Sequence, residues 1–403
     1  MSSKPAERIA ALKRRANAGP AILRHAFRPF FLLAGLWAAV AVPLWIAGFA
    51  GFDLLPASVD PFLWHRHEML FGFVVAAVAG FILTAIPNWT GNLPVSGWRL
   101  GVLVVAWIVG RIALLAGDAI GPLTVAILDM AFLVLLCATI ARELAIARAW
   151  HNLPPFLMIL GLGVGNLLFH LERLGLLASG DTGIRLAIFM MVLLLALIGG
   201  RIVPSFTRNW LLREGIKSLP PPFGVIDKLA LGALGLFVAA AIADPSGRTT
   251  GILALIAGGL LGLRLVRWRG YLVLREPLLW VLHLGYGSLA AGVTMVGLAT
   301  FGLGISQSAA LHALTAGAFG TMILGVASRA SLGHTGRPLV AGPGTVICYL
   351  AVSVSAIARI AAPSMESAEL AALIVAAIAW SVAFGLFSVL YFPVFTGPRI
   401  HPS

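Results

Sequence analysis

The stretch WHRHEMLFGFVVAAVAGFILTAIP, residues 64–87, places two histidines, an arginine and a glutamate immediately before a long apolar run. An apolar run of about 20 residues is what an α-helix needs to cross the hydrocarbon core of a bilayer. Such runs recur along the whole chain, at 28–51, 65–87, 99–117, 121–141, 155–175, 184–204, 224–243, 250–266, 277–301, 307–328, 342–361 and 368–393. They predict an all-α, polytopic membrane protein with about 12 transmembrane helices in one bundle.

The overall composition agrees with this prediction. Of the 403 residues, 60% are hydrophobic and 11% are charged, whereas a soluble domain has roughly one quarter charged residues. The net charge of +13 does not indicate nucleic-acid binding, because the basic residues lie between the apolar runs, as membrane topology requires. Cys137 and Cys348 lie far apart in apolar runs, which excludes a disulfide framework and a CxxC metal site. The sequence also lacks the CxxCH motif of a covalently attached c-type haem.

The distribution of lysine and arginine predicts the orientation of the bundle. Basic runs such as Lys13-Arg14-Arg15 fall on one side, which predicts that both termini are cytoplasmic. The predicted organisation is a basic N-terminal segment at 1–26, a membrane domain at 27–393 and a cytoplasmic tail at 394–403. The first 26 residues are polar and lack an A-x-A cleavage site before a short apolar core, so an uncleaved first helix is expected.

Two internal divisions of the bundle are open. The segment ending in PPPFG, at 220–224, separates six helices from six. The turns AIPNWTGNLP, IVPSFTRNW and RASLGHTGRP follow helices 2, 6 and 10, and their likeness suggests three four-helix units instead.

Six of the nine histidines lie in or beside the apolar runs, where an ionisable side chain indicates a functional site. At 1.5 Å per residue, His170 and His312 lie ~22 to 24 Å from the inner ends of their helices. His65 and His67 begin helix 2 on the same outer side, so four imidazoles are predicted to converge there as metal ligands. The other three histidines belong to basic inner segments and are interpreted as surface residues: His25, His151 and His401.

The spacing within WHRHE limits what the first pair can bind. On a regular helix His65 and His67 point about 200° apart, so they cannot both bind one metal there. Either they serve two centres, or His65 belongs to the turn before the helix. Glu68 shares a face with His65 and is predicted to hold its second nitrogen, and Asn166 lies one turn before His170 as a hydrogen-bond partner.

The remaining candidates lie further along the chain. His283 falls in the inner half of helix 9, and His334 lies in the turn after helix 10 with Arg329 and Arg337. That basic group could bind haem propionates, a quinol head group or an anionic lipid, or it could be an ordinary positive-inside cluster. Imidazoles in a membrane bundle without thiolate ligands suit haem iron or copper.

Five segments carry a specific family resemblance. The segments are FRPFFLLAGLWA at 27–38, WHRHEMLFGFVVAAVAGFILTAIPNWTG at 64–91, NLLFHL at 166–171, LLWVLHLGY at 278–286 and HALTAGAFGTMILGVASRASLGHTGRPL at 312–339. They resemble the NnrS family. The resemblance implies a twelve-helix bacterial inner-membrane protein of nitric oxide metabolism, with one or two haem b groups and copper as a further candidate. The histidine motifs of the family fall on His65, His67, His170, His283, His312 and His334. GVASRAS departs from the Met-Thr-Arg often found in the family, but it retains Arg329.

The sequence therefore favours a nitric oxide reductase that takes electrons from quinol. Glu68 is the predicted catalytic proton donor, with Asp129 and Glu172 as weaker candidates. Asp129 could instead form a salt bridge with Arg111 of helix 3. The alternative function is a non-catalytic protein that binds haem or copper and protects against, or senses, nitrosative stress. A transporter is disfavoured because no inverted repeat with paired broken helices is evident.

Overall fold

The computed structural model describes residues 19–52, 54–56, 60–178 and 180–400. Within these ranges twelve helices are long and apolar enough to cross a membrane, which confirms the predicted all-α, multi-pass fold. They are α1 (Phe27–Phe49), α2 (Pro61–Thr90), α3 (Trp98–Leu115), α4 (Pro122–Ala147), α5 (Trp150–Arg173), α6 (Thr182–Arg213), α7 (Val225–Ala243), α8 (Arg248–Leu272), α9 (Pro277–Thr300), α10 (Gln307–His334), α11 (Pro343–Ser364) and α12 (Glu366–Thr396). The last helix therefore extends three residues beyond the predicted limit at 393. His401 and most of the basic N-terminal segment lie outside the described residues.

Two neighbouring residues, Asp60 and Pro61, determine where α2 begins. The Asp60 carboxylate accepts hydrogen bonds from the amides of Phe62 and Leu63, at 2.9 and 3.1 Å. Pro61 occupies the first helical position, where its missing N–H has no consequence. This cap fixes the register of α2 just before its histidines.

The chain forms two compact units rather than three four-helix units. The first contains residues up to Gly183 together with 330–338 and 388–403, and the second contains 184–329 and 339–387. In the first unit α1 packs on α2, α3 on α4, and α4 on α5. In the second unit α7 packs on α8, α8 on α9, and α9 on α10.

Two membrane-spanning helices contain a widened π-helical segment. In α2 it runs over Glu68–Val74, directly after His67. In α10 it runs over Ala313–Gly320, directly after His312. Segments of this kind often lie at functional sites, because the extra residue in the turn changes which side chains share a face.

Candidate metal centre

Three buried side chains from α2, α4 and α5 meet inside the first unit. Nε2 of His67 lies 3.1 Å from Oδ2 of Asp129, and Nε2 of His170 lies 2.9 Å from the same oxygen. The possible ligand atoms of these three residues all lie within 4.8 Å of one another. Each residue is at most 2% exposed. The structure thus brings together His67 and His170, two of the four predicted imidazoles, and places Asp129 between them.

A second set of polar groups surrounds this triad. The Asn166 side-chain amide donates to Oδ2 of Asp129 at 2.7 Å, and its oxygen lies 2.9 Å from Nε2 of His67. Arg111 donates to Oδ1 of Asp129 and, at 2.5 Å, to Oε1 of Glu68. The ion pair between Asp129 and Arg111, one of the two interpretations of Asp129, is therefore present.

The charged groups around Nε2 of His67 have an excess of negative charge, which a cation at this nitrogen would balance. Glu68 and Asp129 supply two carboxylates, whereas Arg111 supplies one guanidinium group. Both ring nitrogens of His67 face acceptors, since Nδ1 lies 2.9 Å from Oε1 of Glu68. A buried charge needs a partner of opposite sign. A proton on Nε2 or a metal ion in its place neutralises the remaining negative charge.

Close helix contacts bring Arg111 and Asp129 into position. A Cβ atom on Gly72, in the π-helical segment, would lie 2.6 Å from Nε1 of Trp37 and 2.9 Å from Nη1 of Arg111. The carbonyl of Gly72 also accepts a hydrogen bond from the indole of Trp107 at 3.0 Å. Only glycine leaves room for the guanidinium group at this point, so the sequence FGF at 71–73 is part of the site.

The donor set fits a single transition-metal ion. Two imidazole nitrogens and one carboxylate oxygen form the ligand set of many non-haem iron and zinc sites, and imidazole also suits copper. The Glu68 carboxylate on Nδ1 of His67 is the outer partner that such ligands commonly have. The Nε2 atoms of both histidines face one carboxylate oxygen at about 3 Å, which is the spacing around an ion and leaves no width for a haem between them.

A comparison with models of protein families identifies the family of this chain. The model described as NnrS protein matches residues 21–399, which is nearly the whole chain. The chain belongs to the NnrS family. It is therefore a multi-pass membrane protein related to nitric oxide, from a family associated with haem and metal binding. A search among curated proteins finds no match.

The structure separates the two histidines of the NnrS motif WHRHE. The His65 ring stacks on Trp45 with the ring centroids 4.1 Å apart, whereas His67 faces Asp129. The prediction that Glu68 holds the second nitrogen of His65 is wrong, because Glu68 contacts His67 and Arg111. The three-residue spacing suggested a shared face, but the π-helical turn that begins at Glu68 alters that face.

The other predicted ligands make contacts of their own. In the second unit, Nδ1 of His312 donates to the Ser308 carbonyl at 2.7 Å, and Nε2 of His283 lies 2.9 Å from the Thr207 hydroxyl. Arg329 lies over the Phe206 ring there, whereas His334 and Arg337 belong to the first unit. Ligation by any of these residues stays a prediction.

A second buried ionic group, which the sequence did not reveal as a cluster, lies in the second unit. Nε of Arg264 donates to Oδ1 of Asp227 at 2.6 Å. Nη1 of Arg264 donates to the Tyr286 hydroxyl and the Ala196 carbonyl, at 2.9 and 3.0 Å. We call Asp227, Arg264 and Tyr286 the arginine cluster. The only available signal was one Asp and one Arg in different apolar helices, which does not identify a pair.

Proposed function

We propose that this protein is a haem-dependent, quinol-linked nitric oxide reductase, with His67, His170 and Asp129 holding a metal ion that takes part in the reaction. The observation that carries the proposal is the buried triad, whose surroundings retain one negative charge for a cation. Nitric oxide is small, neutral and soluble in lipid, so it can reach a site between membrane helices without an aqueous channel. The proposed location is the bacterial inner membrane, with both termini cytoplasmic.

The proposed reaction balances with quinol as the only reductant. Two molecules of nitric oxide take up two electrons and two protons and give nitrous oxide and water. One quinol supplies both electrons and both protons and becomes quinone. Quinol is favoured as the donor because it is soluble in the bilayer and because the sequence contains neither a CxxCH motif nor a cysteine-rich copper site.

Metal and protein would contribute different parts of this chemistry. A redox-active iron or copper ion, when bound, supplies an open coordination position and one-electron transfer. His67, His170 and Asp129 would fix the ion, and Asn166 and Arg111 would orient Asp129 through their hydrogen bonds. The same bonds occupy both oxygens of Asp129, which makes it a positioning and ligating group rather than a proton carrier.

Glu68 is the best placed group to deliver protons. Its Oε1 is held by Arg111 and His67. Its Oε2 is buried and has no hydrogen-bond partner among the described residues. One oxygen therefore anchors the side chain beside the centre, while the other is available to exchange a proton.

His312 has the local geometry best suited to binding haem iron. Its Nδ1 donates to a backbone carbonyl one turn earlier, which fixes the orientation of the ring. The π-helical segment Ala313–Gly320 follows directly, and segments of this kind often lie at functional sites. We propose that a haem b is bound there.

The deciding experiment measures cofactors and turnover on the same preparation. The purified protein would be assayed for haem by absorption and for metals by elemental analysis. Quinol and nitric oxide would then be added without oxygen, and nitrous oxide would be followed. The proposal expects nitrous oxide in a one-to-one ratio with oxidised quinol. A protein loaded with haem and metal that consumes no nitric oxide with quinol would instead support the alternative, a protective binding protein.

A matched pair of variants tests the assignment of the ion. His67→Gln removes a proposed ligand, and His65→Gln removes the neighbouring histidine that stacks on Trp45. We expect the first variant to lose the metal ion and the second to retain it. Equal loss of metal in both variants would contradict the proposed ligand set.

A further inference from the structure

One end of the first unit carries a concentration of basic groups, which we call the basic end. It lies where α1 begins and where α10 and α12 end, and it contains Arg24, His25, Arg28, His334, Arg337 and Arg399. The ion pairs in the described part of the chain involve none of these residues. Within the described residues, the cations of the basic end therefore have no carboxylate partner.

Arg28 is the buried centre of this group. It is 2% exposed. Its Nη1 donates to the carbonyls of Phe395 and Gly397, both at 2.7 Å, and so caps the end of α12. Its Nε is buried and has no hydrogen-bond partner among the described residues. A buried N–H of a charged group without an acceptor is costly, so the arrangement calls for an acceptor at this point.

Arg337 lies beside the same helix end. A Cβ atom on Gly397 would lie 3.7 Å from Nη2 of Arg337, and the Gly397 carbonyl is one of the acceptors of Arg28. Nη1 of Arg337 is buried and also has no acceptor in the described residues. Two guanidinium groups thus bring unsatisfied donors to one helix end, which is the arrangement that binds oxyanions.

The two histidines of the basic end lie among its positive groups, around the ring of Phe27. The centroid of the Phe27 ring lies 6.0 Å from that of the His25 ring and 5.6 Å from that of the His334 ring. Burial lowers the pKa of His25, and repulsion from Arg28, His334, Arg399 and Arg24 acts in the same direction, so that the pKa is about 4. A bound anion would relieve this repulsion.

We propose that the basic end binds the phosphate group of an anionic lipid. The ends of three membrane-spanning helices meet there, so the guanidinium groups lie at the depth of the lipid head groups. Basic pockets between membrane helices are known to select anionic head groups in this way. The phosphodiester oxygens would accept hydrogen bonds from Nε of Arg28 and Nη1 of Arg337, and the positive groups around them would favour an anionic over a zwitterionic lipid.

The test compares lipid compositions on the full-length, cofactor-loaded protein. Nanodiscs would contain either phosphatidylcholine alone or phosphatidylcholine with phosphatidylglycerol, and the unfolding midpoint would be measured in each. We expect a higher midpoint with phosphatidylglycerol, because a ligand that binds the folded state stabilises it. Phosphatidylglycerol should also remain with the purified protein, as counted by mass spectrometry.

Arg337→Gln is the informative variant, since Arg28→Gln would also remove the cap of α12. We expect about fivefold weaker retention of phosphatidylglycerol and a smaller midpoint shift. Arg99→Gln is the matched control. Arg99 is exposed at the start of α3. This helix start is near the basic end, because the Gly97 amide donates to the Leu23 carbonyl. If the Arg337→Gln variant does not fold, Arg399→Gln would be tested in its place.

Three outcomes would overturn the proposal, and each names another source of the effect. Equal losses in Arg337→Gln and Arg99→Gln would mean general attraction between the membrane and positive charge. Full stabilisation by inorganic phosphate in detergent would mean a site for a free anion. Loss of haem absorption in Arg337→Gln, with the lipid dependence unchanged, would mean that the basic end binds haem propionates. None of these outcomes depends on whether the protein reduces nitric oxide.

Discussion

The metal centre of the first unit and the arginine cluster of the second unit are both buried among membrane-spanning helices, but their charges differ. The metal centre has two carboxylates for one guanidinium group. The arginine cluster has one carboxylate, that of Asp227, which pairs with Arg264. Nη1 of Arg267 also lies 3.6 Å from Oδ2 of Asp227. The first group therefore retains negative charge for a cation, whereas the second retains none.

The difference extends to what each arginine contacts. Arg264 also donates to the Ala196 carbonyl, and its Nη2 lies 3.5 Å from the Gly200 carbonyl. Pro204, one turn later in α6, has no N–H to offer to Gly200. Arg264 thus serves the backbone of α6, which is a structural role, whereas Arg111 donates to the two carboxylates of the metal centre, Glu68 and Asp129. Burial of an ion pair alone does not identify a functional site; the balance of charge and the presence of imidazoles do.

The largest expected effect comes from Asp129→Ala. This change leaves Arg111, His67 and His170 without their shared carboxylate, so we expect a loss of about 3 to 5 kcal/mol in the free energy of unfolding. It should also abolish metal binding. Elemental analysis of the purified variant, together with chemical unfolding, measures both. A variant that keeps its metal would remove Asp129 from the ligand set.

Asp227→Ala is the matched change in the arginine cluster. We expect a similar loss of stability, about 3 to 5 kcal/mol, because Arg264 remains buried without its carboxylate. The metal content should be unchanged. The comparison between the two clusters would fail if this variant lost metal to the same extent as Asp129→Ala.

A smaller effect is expected from Gly72→Ala. The added Cβ would lie within 2.9 Å of Arg111 and Glu68 and closer still to Trp37. Overpacking of this kind typically destabilises by about 1 to 3 kcal/mol, and displacement of Arg111 should weaken metal binding. Gly163→Ala is the control, because a Cβ on that helical glycine meets nothing within 4 Å. Equal behaviour of the two variants would show that the close approach at Gly72 has no role.

The smallest effect concerns the pH dependence of the basic end. The pKa of His25 is about 4 in the folded protein, whereas an unperturbed histidine has a pKa of 6.5. The unfolded chain therefore takes up a proton first as the pH falls below about 6.5, so folding is progressively disfavoured down to about pH 4. Unfolding midpoints of the native protein and of His25→Gln between these values should show a weaker pH dependence in the variant. Identical slopes would mean that His25 does not titrate in this range.

The sequence predicted the fold well because each membrane span is a long apolar run bounded by polar residues. Depth along the helices also indicated that His67 and His170 could meet. The role of Asp129 at the centre was less visible, because one sequence does not show which helices are neighbours. The partner of Glu68 was wrong for a different reason: a π-helical turn depends on tertiary packing, and the local sequence EMLFGFV does not reveal it.

The composition of the first unit has a consequence for biosynthesis. Helices α1 to α5 carry all the described residues of the metal centre, yet the same unit includes residues 388–400, which follow the second unit in sequence. During synthesis from the N-terminus, the ligand residues emerge before the second unit, and the carbonyls that Arg28 caps, those of Phe395 and Gly397, emerge after it. A nascent chain that stops before Ser388 would hold the full set of metal-centre side chains while the basic end is still open. Closure of the first unit is thus a late step of assembly, after the whole second unit has been made.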